Sequence, residues 1–484
     1  MGERRVVGSS AARRVARNTL APIAARVIDA GFALVYLRLL GRADVGAYTF
    51  VVVFTTYLDT LVDFGLNALV AREVPRTPAL ARPALGSVSL LRLGLWLAGL
   101  PLVLAVYGPL RQVAGLSDEA AVAGGVFYLA LLPTVLAKTA SGILWGLERL
   151  EVTAGVSVVA TMLKTVLGAA ALFAGFGLLG LAVASVLVNI VTAGSLMAML
   201  RLPPGQTSTR PGLRWLRESW PLFLNQLLQG LFFKIDALLL PALAGLTAAG
   251  VYGAAYRVSE GAGIISSSFT LALFPRLARA ADLAAAYRVA LRLLLQLAMP
   301  LAAGTALLAE PIIFVVGGRE YLPEAAMALT ILICYLPLSF ANGLIQYVLI
   351  AAGRQRSVTL AFVAALLINV LANLALIPRF GYVGAAWVTV ASEVVLLIPF
   401  TAVVGRLAPG VSALAEARAP FLATLLMAPV VWWLRDAVHP LAAVAAGATI
   451  YPVALWAVGG IDAQQWALVR ELTPPVVSVR LPRP

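Results

Sequence analysis

Residues 220–260 read WPLFLNQLLQGLFFKIDALLLPALAGLTAAGVYGAAYRVSE, placing Lys234, Asp236, Arg257 and Glu260 inside two runs long and apolar enough to cross a bilayer. A charge at the centre of a membrane helix costs on the order of 2.5–3.5 kcal/mol even on lenient insertion scales, so each of these four needs a partner or water. Helical spacing puts Asn225, Gln229 and Asp236 on one face of the first run. It puts Tyr252, Tyr256 and Ser259 on one face of the second, where Arg257 lies one turn from Glu260. Two helices therefore turn polar stripes inward.

The rest of the chain agrees. At 484 residues, 61% hydrophobic, 12% charged and with mean hydropathy +0.94, it has too little polar surface to cover a water-soluble globule. Apolar runs predict fourteen crossings, near 18–40, 47–70, 84–108, 120–145, 153–174, 178–200, 218–242, 249–274, 289–309, 325–350, 358–378, 382–404, 419–434 and 440–458. The fold class is thus an all-α, multi-pass integral membrane protein. Outside the spans, basic residues crowd alternate loops and both tails, whereas the opposite loops hold only Arg42, Arg111, Arg319, Arg379 and Arg435. The positive-inside rule then puts both termini in the cytoplasm. The net charge of +14 is mostly this topology signal and does not indicate nucleic-acid binding. A single cysteine, Cys334, excludes an internal disulfide, and Arg13-Arg14 precedes an uncleaved first span.

The chain repeats itself. LLGRADVGAY (39–48) matches ALAGLTAAGVY (242–252), so that Gly41, Gly46 and Tyr48 correspond to Gly245, Gly250 and Tyr252 at an offset of 204. Arg72 and Arg276 keep that offset, as do FGLLGLAVASV from Phe176 and FGYVGAAWVTV from Phe380. An even number of crossings separates equivalent helices, so the two six-helix lobes are expected to be parallel. The expected organisation is 1–200 as the first lobe, 201–217 as a Pro-rich basic cytoplasmic linker, 218–404 as the second lobe, and 405–484 as two unpaired C-terminal spans and a tail. The arginine-rich stretch 276–292 is expected to lie as a short amphipathic helix on the inner leaflet.

Within or beside the spans lie Arg26, Arg38, Arg92, Lys138, Lys164, Lys234 and Arg257, against Asp29, Asp59, Asp63, Asp236, Glu260 and Glu393. All three lysines of the chain are in this set. A lysine ammonium binds phosphate as a point charge. The opposite charges can bridge one another, as Arg26 with Asp29 or Arg257 with Glu260, or face a shared cleft. The spacing favours a cleft: Thr19, Arg26, Asp29 and Tyr36 form one stripe, Thr56, Thr60, Asp63 and Asn67 a second, and Ser157, Thr161 and Lys164 a third. Arg38 is expected to snorkel to the outer interface, and Asn342, Asn369 and Asn373 to make interhelical hydrogen bonds. One histidine, His439, and one cysteine allow no metal cluster or Cys/His pair, and no glycine-rich phosphate loop opens a nucleotide domain. No catalytic residue, cofactor or metal is expected.

LLGRADVGAYTF followed by LVDFGLNALVARE, then KIDALLLPALAGLTAAGVYGAAYR, LFPRLAR and NLALIPRFGYVGAAWVTVASE, resembles the polysaccharide (O-antigen-type) flippases of the multidrug/oligosaccharidyl-lipid/polysaccharide exporter superfamily. The resemblance implies a V-shaped pair of lobes around a central cleft. It also implies alternating access and movement of an undecaprenyl-diphosphate-linked oligosaccharide from the inner to the outer leaflet of a bacterial or archaeal plasma membrane. Arg26, Arg257, Lys164 and Lys234 would then hold the diphosphate, and Tyr36, Tyr252, Tyr256, Asn225 and Gln229 would meet sugars. Asp29, Asp59, Asp63, Asp236 and Glu260 are candidates for coupling ions, unless membrane potential drives the step. The implied partners are the lipid-linked glycan, membrane lipids and a polysaccharide polymerase or glycosyltransferases, around a monomer. Related lipid II flippases carry a cavity arginine in span two, where this chain has Asp59 and Asp63, which argues against lipid II. The alternatives are a cation-coupled multidrug exporter of the same superfamily and, less favoured, a lipid II flippase or a membrane glycosyltransferase.

Overall fold

The computed structural model describes residues 21, 24–202, 212–279, 282–437 and 439–461. Thr19, the basic N-terminal residues, most of the expected linker (203–211) and the C-terminal tail lie outside the described residues. Every element of regular structure among the described residues is helical. This follows from the solvent: hydrocarbon offers no partner to a backbone N–H or C=O, so a spanning segment must satisfy both internally.

In chain order the helices are α1 (24–39), α2 (Arg42–Asp63), α3 (Leu66–Glu73), α4 (Ala81–Tyr107), α5 (Asp118–Leu129), α6 (Leu131–Gly146), α7 (Leu150–Phe173) and α8 (Gly177–Met199). There follow α9 (Leu213–Ala244), α10 (Leu246–Arg279), α11 (Leu283–Leu307), α12 (Ala309–Gly317), α13 (Glu324–Leu332), α14 (Leu336–Ala351), α15 (Gln355–Leu407), α16 (Ala413–Ala437) and α17 (Pro440–Ala457). Eleven helical stretches among the described residues are long and apolar enough to cross a membrane. The chain is a multi-pass membrane protein. The 53-residue α15 counts once there but contains two of the fourteen expected spans, and α1 and α10 occupy two more. The separate surface helix expected over 276–292 does not form. Instead α10 continues to Arg279, and Asp282 caps α11 by accepting from the Ala285 N–H at 3.0 Å. A cap of this kind favours starting the long helix at once.

The sequence offset of 204 reappears in local geometry. Gly177 and Gly381 both take positive φ, 48° and 56°, which the absence of a Cβ permits, and the latter breaks α15 in two. Three residues on, a Cβ at Gly180 would lie 2.6 Å from Phe176 Cβ, and one at Gly384 3.2 Å from Phe380 Cβ. The motif Phe-Gly-x-x-Gly thus builds the same helical corner twice. The second case is a crossing of α2 over α10: a Cβ at Gly46 would stand 2.0 Å from the Leu246 carbonyl oxygen, and one at Gly250 1.9 Å from the Arg42 carbonyl oxygen. Each contact is the other shifted by the repeat. Two backbones touch here because two equivalent glycines allow it.

The chain packs as two compact units. One comprises residues up to Ile264 with Ile313–Ala328 and Phe362–Ser392. Its buried polar cross-link is Arg92 Nη2 to Asp63 Oδ1 at 2.7 Å, with Arg92 Nη1 donating to Thr139 Oγ1 at 2.7 Å and no guanidinium exposure to solvent. Asn369 also lies here, donating to Ser392 at 2.8 Å and accepting from Asn373 at 2.9 Å. The other unit comprises Ile265–Ile312, Leu329–Ala361 and the chain from Glu393 on. There α11, α16 and α17 share an apolar core around Leu308, Met427 and Val431. Arg292 reaches Glu416 at 2.7 Å, and Asn342 donates to the buried Glu393 carboxylate at 2.7 Å.

Candidate functional site

The polar stripes on α1, α2, α7, α9 and α10 converge in the first unit. Asp29 on α1 receives Lys164 of α7 at 2.9 Å and Arg257 of α10 at 3.5 Å. Arg257 also reaches Glu260, one turn along α10, at 3.2 Å, and Glu260 receives Lys234 of α9 at 2.7 Å. The result is an alternating row, Lys164–Asp29–Arg257–Glu260–Lys234, with one formal positive charge in excess. Arg257 Nε donates to the Tyr36 hydroxyl at 3.0 Å, and its guanidinium lies 5.9 Å from the Tyr36 ring centroid. Each side chain of the row keeps between 29% and 39% of its surface exposed, so the charges are partnered and still reachable by a ligand. A closed set of buried bridges would not have that property.

Two cavities adjoin the row. The larger, about 610 Å³, is lined by α2, α5, α6, α7 and α8 and includes Asp59, Lys138 and Lys164. The smaller, about 80 Å³, includes Tyr36, Lys234, Asp236, Tyr252, Tyr256 and Arg257. Tyr48 and Val52 line both. Within the larger cavity Lys138 Nζ binds Asp59 Oδ2 at 2.8 Å. At the smaller one Asp236, nearly fully buried, accepts from the Tyr252 hydroxyl, from the Ala237 N–H at 2.8 Å and from Thr389 Oγ1 at 3.2 Å. Tyr256 donates to the Phe233 carbonyl at 2.7 Å, which fixes its ring at the cavity wall.

Of the residues singled out from the sequence, Asp29, Tyr36, Lys164, Lys234, Tyr252, Tyr256, Arg257, Asp236 and Glu260 are brought together here. Arg26 lies on the exposed side of α1, one turn before Asp29, and is not among the residues lining either cavity. Asn225 and Gln229 bond to one another at 3.3 Å on α9 and likewise line neither cavity. Asp63 is committed to Arg92, whereas Asp59, one turn earlier, faces the larger cavity. Arg38 donates to the Val315 carbonyl at 2.5 Å rather than only reaching outward. Sequence reasoning counted Lys138 among the intramembrane lysines without giving it a place in the site, and passed over the hydroxyls of α6 and α8. In the structure all three lysines reach carboxylates, Lys138 that of Asp59. Among the described residues no group of three or more His, Cys, Asp or Glu side chains has metal-binding geometry.

Comparison with known proteins gives the fold. The lipid II flippase MurJ in an inward closed conformation superposes with TM-score 0.72 at 14% identity, covering 94% of this chain and 99% of its own. An inward-facing multidrug resistance MATE family transporter of the MOP superfamily gives 0.63 at 18% identity, covering 81% and 96%. A MOP superfamily transporter from Pyrococcus furiosus, described as having a binding pocket of reverse polarity, gives 0.58 at 17%, covering 81% and 94%. No curated protein matches by sequence. The fold is that of the MOP superfamily of membrane transporters and flippases. The family model described as polysaccharide biosynthesis protein matches residues 11–281, more than half of the chain, and the chain belongs to that family.

Proposed function

We propose that this protein flips a polyprenyl-diphosphate-linked oligosaccharide, of the undecaprenyl type, from the inner to the outer leaflet of a bacterial or archaeal plasma membrane by alternating access. It acts as a transporter rather than an enzyme, with both termini cytoplasmic and with the lobes 1–200 and 218–404 as its moving parts. The observation that carries this reading is the row Lys164–Asp29–Arg257–Glu260–Lys234, partly exposed beside two cavities and one positive charge in excess. A diphosphate entering it displaces carboxylates from cations already held in place, so little side-chain ordering remains to be done on binding. Arg257 offers a planar fork for bidentate contact, and Lys164 and Lys234 flank it as point charges. Tyr36, Tyr252 and Tyr256 supply aromatic and hydroxyl surface for the first sugar. Glycosyltransferases and a polymerase would be the partners that supply and consume the glycan.

A second reading, a cation-coupled exporter of organic cations, draws on one observation: the Asp236 carboxylate is buried at the smaller cavity, where it accepts from the Tyr252 and Thr389 hydroxyls and from the Ala237 N–H. In the first reading the same carboxylate is a coupling group. Reconstitution separates them. In proteoliposomes loaded with a fluorescent polyprenyl-diphosphate disaccharide, leaflet-selective quenching should report protein-dependent flipping, and a lipophilic cation should not compete. Cation uptake without lipid flipping would establish the exporter instead.

A further inference from the structure

The wall of the larger cavity is polar in a one-sided way. Thr56 donates its hydroxyl proton to the Val52 carbonyl at 2.8 Å, Thr134 to Leu131 at 2.6 Å, Thr161 to Ser157 at 2.9 Å, Ser185 to Leu181 at 3.0 Å and Thr192 to Val188 at 2.7 Å. Asn189 donates one amide hydrogen to the Ala130 carbonyl at 2.8 Å. All six line the cavity. A hydroxyl has one proton and two lone pairs, so a Ser or Thr bonded back to its own helix presents acceptors only. Asp59 adds to the imbalance: its Oδ2 holds Lys138, while its Oδ1 is buried and receives no donor. The five back-bonded hydroxyls, the Asn189 carbonyl oxygen and Asp59 Oδ1 make this wall rich in acceptors, and its charged donors are the ammonium groups of Lys138 and Lys164.

From this we infer that the larger cavity is a glycan subsite selective for neutral sugars, whose many hydroxyl protons match an acceptor-lined wall. This rests on the flippase reading and deepens it. Uronic or sulfated sugars bring charged acceptors to an acceptor-rich wall whose two lysines are already engaged by Asp59 and Asp29. Organic cations are not favoured either, because Lys138 neutralises Asp59 and Lys164 is shared with Asp29. The volume, about 610 Å³, lies within the range of small-molecule sites. Lys164 belongs both to this wall and to the charged row, which places the glycan subsite beside the diphosphate.

The test uses the full chain in nanodiscs and three synthetic probes on the same prenyl diphosphate: one bare, one carrying a neutral hexose disaccharide and one carrying a diuronate. The neutral probe should bind about tenfold or more tighter than the bare one, the gain of one to two well-made hydrogen bonds, and the diuronate no tighter than bare. In the triple variant Thr161→Val, Thr192→Val, Asn189→Leu the ratio of neutral to bare affinity should fall towards one, and because it is a ratio within one protein it is insensitive to partial misfolding. Equal affinity for diuronate and neutral probes, or an undiminished ratio in the variant, overturns the inference. Should the bare probe fail to bind, the diphosphate reading falls. The free neutral and acidic disaccharides, compared by saturation-transfer NMR, then decide the cavity's preference on their own.

Discussion

Replacing Arg257 by Ala removes the middle of the charged row. Three contacts vanish together: Asp29 at 3.5 Å, Glu260 at 3.2 Å and the Tyr36 hydroxyl at 3.0 Å. Each carboxylate retains one lysine, Asp29 with Lys164 and Glu260 with Lys234, so neither is stranded and the fold should survive. The formal charge of the row falls from one positive to zero. A charge-assisted hydrogen bond contributes about 1.5–3 kcal/mol, which is about 10- to 100-fold in affinity for a diphosphate. Arg257→Lys restores the charge without the fork, and should recover affinity only in part because one ammonium cannot serve Asp29, Tyr36 and a phosphate in the guanidinium's geometry. The assay is flipping of a labelled polyprenyl-diphosphate disaccharide in proteoliposomes at substrate well below saturation, with thermal unfolding in detergent as the control. Wild-type flipping by Arg257→Ala would refute the assignment of the row as the anion site. Loss of flipping together with a collapsed unfolding midpoint would mean that the row is structural.

Other consequences follow from the same geometry. Asp63→Asn leaves the fully buried Arg92 without its counter-charge and should destabilise the protein by about 3–5 kcal/mol, whereas the pair replacement Asp63→Leu, Arg92→Met should recover most of it; thermal unfolding of the three proteins checks both. Gly250→Ala drives a methyl to 1.9 Å from the Arg42 carbonyl, which should cost about 1–3 kcal/mol and lower the unfolding midpoint, and Gly46→Ala should match it because the contact is reciprocal. Asn342→Leu removes a donor from the buried Glu393 and should cost about 1–3 kcal/mol, recovered when Glu393→Met is added; denaturation in detergent reads the difference. Arg26→Ala, outside both cavities, should reduce flipping less than Arg257→Ala when the two are assayed side by side.

Much of this was readable in the residues, for identifiable reasons. Long apolar runs announce helices because hydrocarbon tolerates little else, and the Phe176 and Phe380 pieces and the Gly46/Gly250 correspondence were legible as repeats, whereas the corner and the backbone contact they build are visible only in the structure. Intramembrane charges likewise marked the site through their cost. Pairing was harder to read. Arg26 and Asp29 share a helix face at a spacing that suits a bridge, yet the Asp29 carboxylate is taken by Lys164 and Arg257, 135 and 228 positions away, whose helices no local rule brings near. Asp59 and Asp63 looked alike in sequence. Only the packing of α4 and α6 against α2 sends one into a buried bridge with Arg92 and the other to Lys138 at a cavity. The acceptor-rich cavity wall was hidden for a related reason: a Thr on a membrane helix usually bonds back to its own backbone, and nothing in the sequence says that four helices gather such residues around one space.

The central claim is that the cargo is a lipid-linked glycan moving outward. The most direct measurement is made in the native cell after depletion of this protein, by extracting lipids, identifying polyprenyl-diphosphate oligosaccharides by mass spectrometry and assigning their leaflet by membrane-impermeant labelling. The account predicts that such a lipid accumulates on the inner leaflet, and that wild type clears it while Arg257→Ala does not. An unchanged lipid pool, accompanied by heightened sensitivity to lipophilic cations, would contradict it.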